Sequence, residues 1–114
     1  MRNKYNAHAI MIDGHLFDSI YESRRYGELK IMEHAGTIQE LKIHPRFELQ
    51  PAFDFHGEKI RALVYEADFS YFLNGIPIIE DVKGFETPAF KIKWKLLKFL
   101  FKDKPVLFVK YKNT

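Results

Sequence analysis

From Tyr65 to Gly84 the chain holds two β-rich runs joined by Asn74-Gly75. Asn-Gly between such runs is the strongest short-range hairpin signal. With Asn74-Gly75 as a two-residue loop, Leu73 faces Ile76, Phe72 faces Pro77 and Tyr71 faces Ile78. Ser70 then faces Ile79, Phe69 faces Glu80, Asp68 faces Asp81, and two steps on Glu66 faces Lys83. Side chains alternate between the faces of a sheet. One face therefore carries Tyr65, Ala67, Phe69, Tyr71, Ile78 and Val82, with Glu80 as its charged exception. The other carries Glu66, Asp68, Ser70, Ile79, Asp81 and Lys83. Like charges directly opposite one another destabilise a sheet. A cation between the two aspartates removes that penalty; the bland alternative is a solvated acidic strand face.

The chemistry of this face follows from its donors. Hard divalent cations take oxygen ligands, and Mg²⁺ is typically held by one or two carboxylates plus water and substrate phosphate. In this register Asp68 and Asp81 stand about 5 Å apart at the backbone, and the carbonyl of Val82 is a further candidate ligand. Lys83 shares the face, where an ammonium can orient an attacking water or offset the charge of a transferring phosphoryl group. Together these outline a metal-dependent phosphodiesterase. A turn longer by one residue on one side reverses the faces, and Glu80 then replaces Asp81 as the ligand. Glu66 and Lys83 also read as a simple cross-strand ion pair.

The rest of the chain frames this hairpin. Asp13-Gly14, with short apolar flanks between His8 and Phe17, predicts a small hairpin. Ser19-Ile20-Tyr21-Glu22 is a capping-box pattern, opening a helix that runs to about Ala35, where Gly36 is a C-terminal stop. Residues 37–43 and 47–49 read as short strands, 52–59 as a loop or hairpin tip, and 60–73 as one long strand partnered by 76–83. Thr87-Pro88 starts a second helix reaching about Phe101, and 106–111 is a last strand. On that helix Phe90, Trp94, Leu97 and Phe101 form one stripe and Lys91, Lys95, Lys98 and Lys102 another, with Lys93 set apart among apolar neighbours. The lysine stripe is either a phosphate-contacting ridge or an ordinary wet face, and Lys93 is either aimed at a site or snorkelling along its stem.

Composition narrows the function classes. The 114 residues suffice for one domain, residues 1–114, and 46% are apolar, so disorder is not expected. Residues 1–7 read as a flexible basic arm. No cysteine is present, which excludes disulfides, thiolate metal sites and a cysteine nucleophile. The five histidines (His8, His15, His34, His44 and His56) lack ligand spacing and read as surface or turn residues. No apolar run is long enough to span a membrane and no signal-peptide core is present, so a soluble cytoplasmic protein is expected. Eight of the 18 Lys and Arg residues fall between Lys91 and Lys112, a bias that suits a polyanionic partner.

Asp68 followed after a strand-turn-strand by Asp81-Val82-Lys83 resembles the split signature of the PD-(D/E)XK nuclease superfamily. More closely, Phe17-Asp18-Ser19-x-x-Glu22-x-x-Arg25-Tyr26, Tyr65-x-Ala67-Asp68-Phe69 and Glu80-Asp81-Val82-Lys83-Gly84 are similar to a family of small bacteriophage proteins of that superfamily. Holliday-junction resolvase-like endonucleases are among the relatives. The resemblance covers most of the chain, and it departs at Ala67, where the name-giving pattern has proline.

The resemblance implies an α+β fold with a restriction-endonuclease-like α-β-β-β-α-β core, a central mixed sheet between two helices. It implies a Mg²⁺- or Mn²⁺-dependent DNA endonuclease in the cytoplasm of a bacterial host. Asp68 and Asp81 would hold the metal with the Val82 carbonyl, Glu22 would assist, and Lys83 would position the nucleophile. Lys93 or Lys91 would match a site-facing residue of the second helix, and Lys91, Lys93, Lys95, Lys98 and Lys102 would contact DNA. Glu22 also reads as no more than the far end of its capping box. Cutting both strands calls for a homodimer. The rival expectation is a DNA- or protein-binding module that keeps the fold without turnover.

Overall fold

The computed structural model describes residues 9–112, so the predicted basic arm at residues 1–7 lies outside the described residues. A short hairpin comes first, β1 (Ile10–Ile12) and β2 (His15–Phe17), turning at Asp13 and Gly14 with φ of +53° and +79°. Helix α1 (Ile20–His34) begins as its capping pattern predicts, with the Ser19 Oγ accepting from Glu22 N–H at 3.1 Å. The Glu22 carboxylate reaches one residue further back than in a simple capping box, accepting from Asp18 N–H at 3.1 Å. Gly36 ends the helix at φ +85°, a left-handed conformation that glycine adopts without steric cost.

Strand β3 (Ile38–Ile43) leads through His44-Pro45 into β4 (Arg46–Gln50), and a projecting hairpin follows, β5 (Phe53–Phe55) and β6 (Glu58–Ile60). The chain returns as β7 (Leu63–Glu66) and β8 (Phe69–Leu73), turns at Asn74-Gly75, and continues as β9 (Ile76–Lys83). Helix α2 (Pro88–Leu100) is capped by Thr87, whose Oγ1 accepts from Phe90 N–H at 3.0 Å, and β10 (Leu107–Lys112) closes the fold.

The central sheet has the order β10-β9-β8-β3, with β8 antiparallel to both β3 and β9 and β10 parallel to β9. The protein is thus α+β, with a mixed sheet and two helices. The hairpin register is the one Asn74-Gly75 predicts, from Leu73↔Ile76 through Phe69↔Glu80.

The predicted long strand over residues 60–73 is broken. His44 takes φ +54° and Pro45 has no N–H to donate, so the β3–β4 segment bends there. The returning strand bends beside it. His44 N–H donates to the Asp68 carbonyl and Ala67 N–H to the Pro45 carbonyl, both at 2.9 Å. Beyond the bend β7 pairs with β4, not with β9. The predicted Glu66–Lys83 pairing is therefore absent, and Glu66 instead approaches Arg46 at 4.0 Å.

The bend also reassigns faces. Phe69, Tyr71 and Ile78 pack with Phe17, Tyr26, Leu29 and Ile38 against α1, whereas Tyr65 and Ala67 cross to the other core with Ile79, Phe90, Trp94 and Leu97 against α2. Strict alternation over residues 65–71 had placed all four on one face. Full burial of side chains such as Phe17, Phe69, Leu29 and Leu97 contributes about 1.5–3 kcal/mol each, which holds both helices on the sheet. Among the described residues no helix is long and apolar enough to cross a membrane.

Candidate functional site

The bend places Asp68 where the two cores meet. Its backbone N–H donates to Asp81 Oδ1 at 2.9 Å, and its own Oδ2 accepts from Val82 N–H at 2.7 Å. The strand register ends at Phe69↔Glu80, one step short of the predicted Asp68↔Asp81 pair, and the two aspartates are joined instead through backbone amides. Val82 enters the arrangement through its N–H.

Asp81 is 1% exposed, and its Oδ2 is buried without a hydrogen-bond partner among the described residues. A buried carboxylate oxygen without a donor is costly. Burial pushes Asp81 up to about 6, against the opposing pull of Lys83 and the Asp68 N–H. Asp68 is also raised by burial, partly offset by Val82 N–H, Glu22, Lys83 and His44.

An open cleft of about 450 Å³ runs past these carboxylates, lined by Asp18, Asp68, Asp81, Lys83, Phe90 and Lys93 among others. Lys83 places its Nζ 4.0 Å from the centre of the Phe90 ring, a cation–π contact that holds the ammonium beside the cleft. Lys93 lines the same cleft and donates to the Val64 carbonyl at 3.2 Å. It is the lysine of α2 aimed at the site. Lys91, Lys95, Lys98 and Lys102 are exposed on the outer side of the helix, beside exposed Ile92, Leu96 and Phe99, and Lys102 bonds Asp103 at 2.7 Å.

Glu22 arrives from the first turn of α1, 4% exposed. Burial, then the neighbouring Asp68 charge and hydrogen bond, push its carboxyl up to about 9. His44, which the sequence reading left as a surface or turn residue, belongs here: its Nε2 stands 2.8 Å from Glu22 Oε2. Glu22, His44 and Asp68 each offer one ligand atom, and the three atoms lie within 4.8 Å of one another. Nothing in the spacing of 22, 44 and 68 announces that meeting. The His44-Pro45 step between two strands was the one local cue.

Glu80 is turned to the opposite face, as the two-residue turn requires. It accepts from Arg25 Nε at 2.6 Å, from Arg25 Nη2 at 3.0 Å and from Tyr71 Oη at 2.6 Å. Arg25 also stacks on Tyr111, with its Cζ 3.9 Å from the ring centre. This network ties α1, which carries Glu22, to β9, which carries Asp81.

A family model described as protein of unknown function (DUF1064) matches residues 2–113. The chain belongs to that family. No curated protein and no solved structure matches it. The matched span takes in every residue of the carboxylate cluster and both lysines of the cleft, so the site lies within the family's own segment.

Proposed function

We propose that this chain is a metal-dependent DNA endonuclease of the PD-(D/E)XK type. The observation that carries the reading is Asp81, a residue that lines a cleft with Asp68 and two lysines and whose buried Oδ2 has no donor among the described residues. A divalent ion, Mg²⁺ or Mn²⁺, supplies the missing partner and would be held by Asp68, Asp81 and Glu22, with the Val82 carbonyl as a further ligand. The donor set fits such an ion, being carboxyl and carbonyl oxygen, which hard divalent cations take. The order of the central sheet supports the reading: α1, then β3, β8 and β9, then α2 and β10 laid parallel to β9, with β4–β7 inserted between β3 and β8.

When bound, the ion supplies Lewis-acid polarisation of a phosphate oxygen. The chain's own groups do the rest. Lys83, steadied over Phe90, orients the attacking water and offsets developing charge. Lys93 faces the same cleft and contacts the phosphate backbone. Lys91, Lys95, Lys98 and Lys102 extend that contact along α2, as non-specific phosphate binders do. Branched DNA such as a Holliday junction is the substrate class the resemblance favours, and cutting both strands takes a homodimer with two-fold symmetry.

The test incubates the protein with branched, single-stranded and duplex DNA in the presence of Mg²⁺, Mn²⁺ or EDTA. Cleavage that needs the ion and disappears in Asp68→Asn and Asp81→Asn is the expected result. Salt-sensitive binding without cleavage of any substrate overturns the enzyme in favour of a binding module. No retention on DNA at low salt removes nucleic acid from the reading altogether.

A further inference from the structure

We propose that His44 is a nitrogen ligand of the divalent ion, completing a Glu22–His44–Asp68 set, and that the site therefore selects Mn²⁺ over Mg²⁺. The inference rests on the metal-site reading above and names a residue and a selectivity that the carboxylate signature leaves out.

Three independent features point the imidazole at this task. First, the ligand atoms converge: His44 Nε2 is 2.8 Å from Glu22 Oε2, and both lie within 4.8 Å of an Asp68 oxygen. Second, the backbone holds His44 in an uncommon state. A φ of +54° is rare for a residue with a β-carbon, and the following proline restricts residue 44 further. Such conformations persist where surrounding contacts enforce them, and they cluster at functional sites. Here the enforcing contacts are His44 N–H to the Asp68 carbonyl and Ala67 N–H to the Pro45 carbonyl. The same pair of hydrogen bonds that bends the ribbon therefore fixes the ring relative to the Asp68 carboxylate. Third, the ring is backed by Phe17 at a centroid distance of 5.7 Å, while its side chain keeps 27% exposure toward an opening lined by Leu16, Asp18, Glu66 and Asp68. The imidazole is braced on one side and accessible on the other.

The surroundings also argue against an isolated pair of hydrogen-bonding groups. Asp68 belongs both to this opening and to the cleft that holds the donor-free Asp81 Oδ2. An ion held by Glu22, His44 and Asp68 thus has carboxylate oxygens and one imidazole nitrogen as its donors. Mg²⁺ takes oxygen ligands almost exclusively, whereas first-row transition ions accept imidazole readily. One nitrogen among carboxylates therefore tilts the choice toward Mn²⁺ without excluding Mg²⁺.

Electron spin-echo envelope modulation of Mn²⁺ bound to the protein reads directly coordinated nitrogen, and titration calorimetry gives the Mn²⁺ and Mg²⁺ affinities. The wild-type protein should show nitrogen modulation and bind Mn²⁺ at least about tenfold more tightly than Mg²⁺. His44→Asn is the informative variant, because asparagine tolerates positive φ and offers an oxygen donor. It should lose the nitrogen modulation, weaken Mn²⁺ binding by about 10- to 100-fold, and bring the two affinities close together. If that variant does not fold, His44→Gln serves, and Asp68→Asn must abolish the wild-type nitrogen signal together with the bound ion. Mn²⁺ bound at Asp68 and Asp81 without nitrogen modulation, or an unchanged Mn²⁺/Mg²⁺ ratio in His44→Asn, overturns the inference and leaves the metal site standing. No Mn²⁺ binding by the wild-type protein overturns both.

Discussion

Glu80 and Asp81 are consecutive on β9, and both are buried, at 0% and 1% exposure, on opposite faces of one sheet. Glu80 receives two hydrogen bonds from Arg25 and one from Tyr71, so its charge is matched and its oxygens are engaged. Asp81 has one amide on one oxygen and, among the described residues, no partner on the other. The first arrangement ties α1 to the sheet. The second leaves a buried carboxylate oxygen uncompensated beside a cleft, which costs free energy. Two adjacent carboxylates thus differ in kind: one is fully paired inside the fold, and the other is the group to which the proposed function assigns a cation.

That contrast predicts opposite responses to removing charge. Arg25→Met strands the Glu80 carboxylate and should lower the unfolding free energy by about 3–5 kcal/mol in urea titrations. A loss below about 1 kcal/mol would show that solvent rescues Glu80 and that the two sites are not distinct in kind.

A smaller effect is expected from the ion itself. Mn²⁺ at about 100 times its dissociation constant should stabilise the protein by about 2.7 kcal/mol, reversibly with EDTA. The gain should survive substitution on the outer face of α2 and vanish in Asp81→Asn.

Without metal, Asp81→Asn should itself be stabilising, by roughly 2 kcal/mol at about pH 8. The sign follows from the raised carboxyls. The folded protein holds its proton at Asp81 up to about pH 6, while the unfolded aspartate releases it near 3.8. Stability from this group is therefore complete below the unfolded value and is lost as pH rises through about 6. Glu22 extends the decline toward about 9 from its unfolded 4.5. Thermal unfolding of the metal-free protein should show this downward trend, flattened around the Asp81 step in Asp81→Asn. A metal-free stability that rises over the same range contradicts the account of Asp81.

The smallest effect belongs to the exposed ridge. Lys95→Ala or Lys98→Ala should leave ion binding and stability unchanged and reduce the salt dependence of DNA binding by about one counterion each. Lys83→Met, by contrast, should leave DNA binding nearly intact while removing cleavage.

Local chemistry announced much of this molecule. Asn74-Gly75 dictated the strand register, and the register put Asp81 and Glu80 on opposite faces. Ser19 and Thr87 marked both helix starts, and the Phe90, Trp94, Leu97 spacing marked the buried side of α2. These signals were legible because each depends on residues a few positions apart.

The bend at Ala67-Asp68 was not legible, because it is imposed by the hydrogen bonds His44 N–H to the Asp68 carbonyl and Ala67 N–H to the Pro45 carbonyl, with partners more than twenty residues apart. That bend undid the predicted Glu66–Lys83 pair and carried Tyr65 and Ala67 to the other core. It is also what brings His44 to Glu22 and Asp68. The sequence by itself put Asp81 rather than Glu80 on the cleft face on the condition that Asn74-Gly75 is a two-residue turn, and the structure supplies that turn. Only the tertiary structure decided that Glu80 would be neutralised, that Asp81 would not, and that an imidazole would stand beside Asp68. Those outcomes depend on which distant segments exchange backbone hydrogen bonds, and no local propensity encodes that.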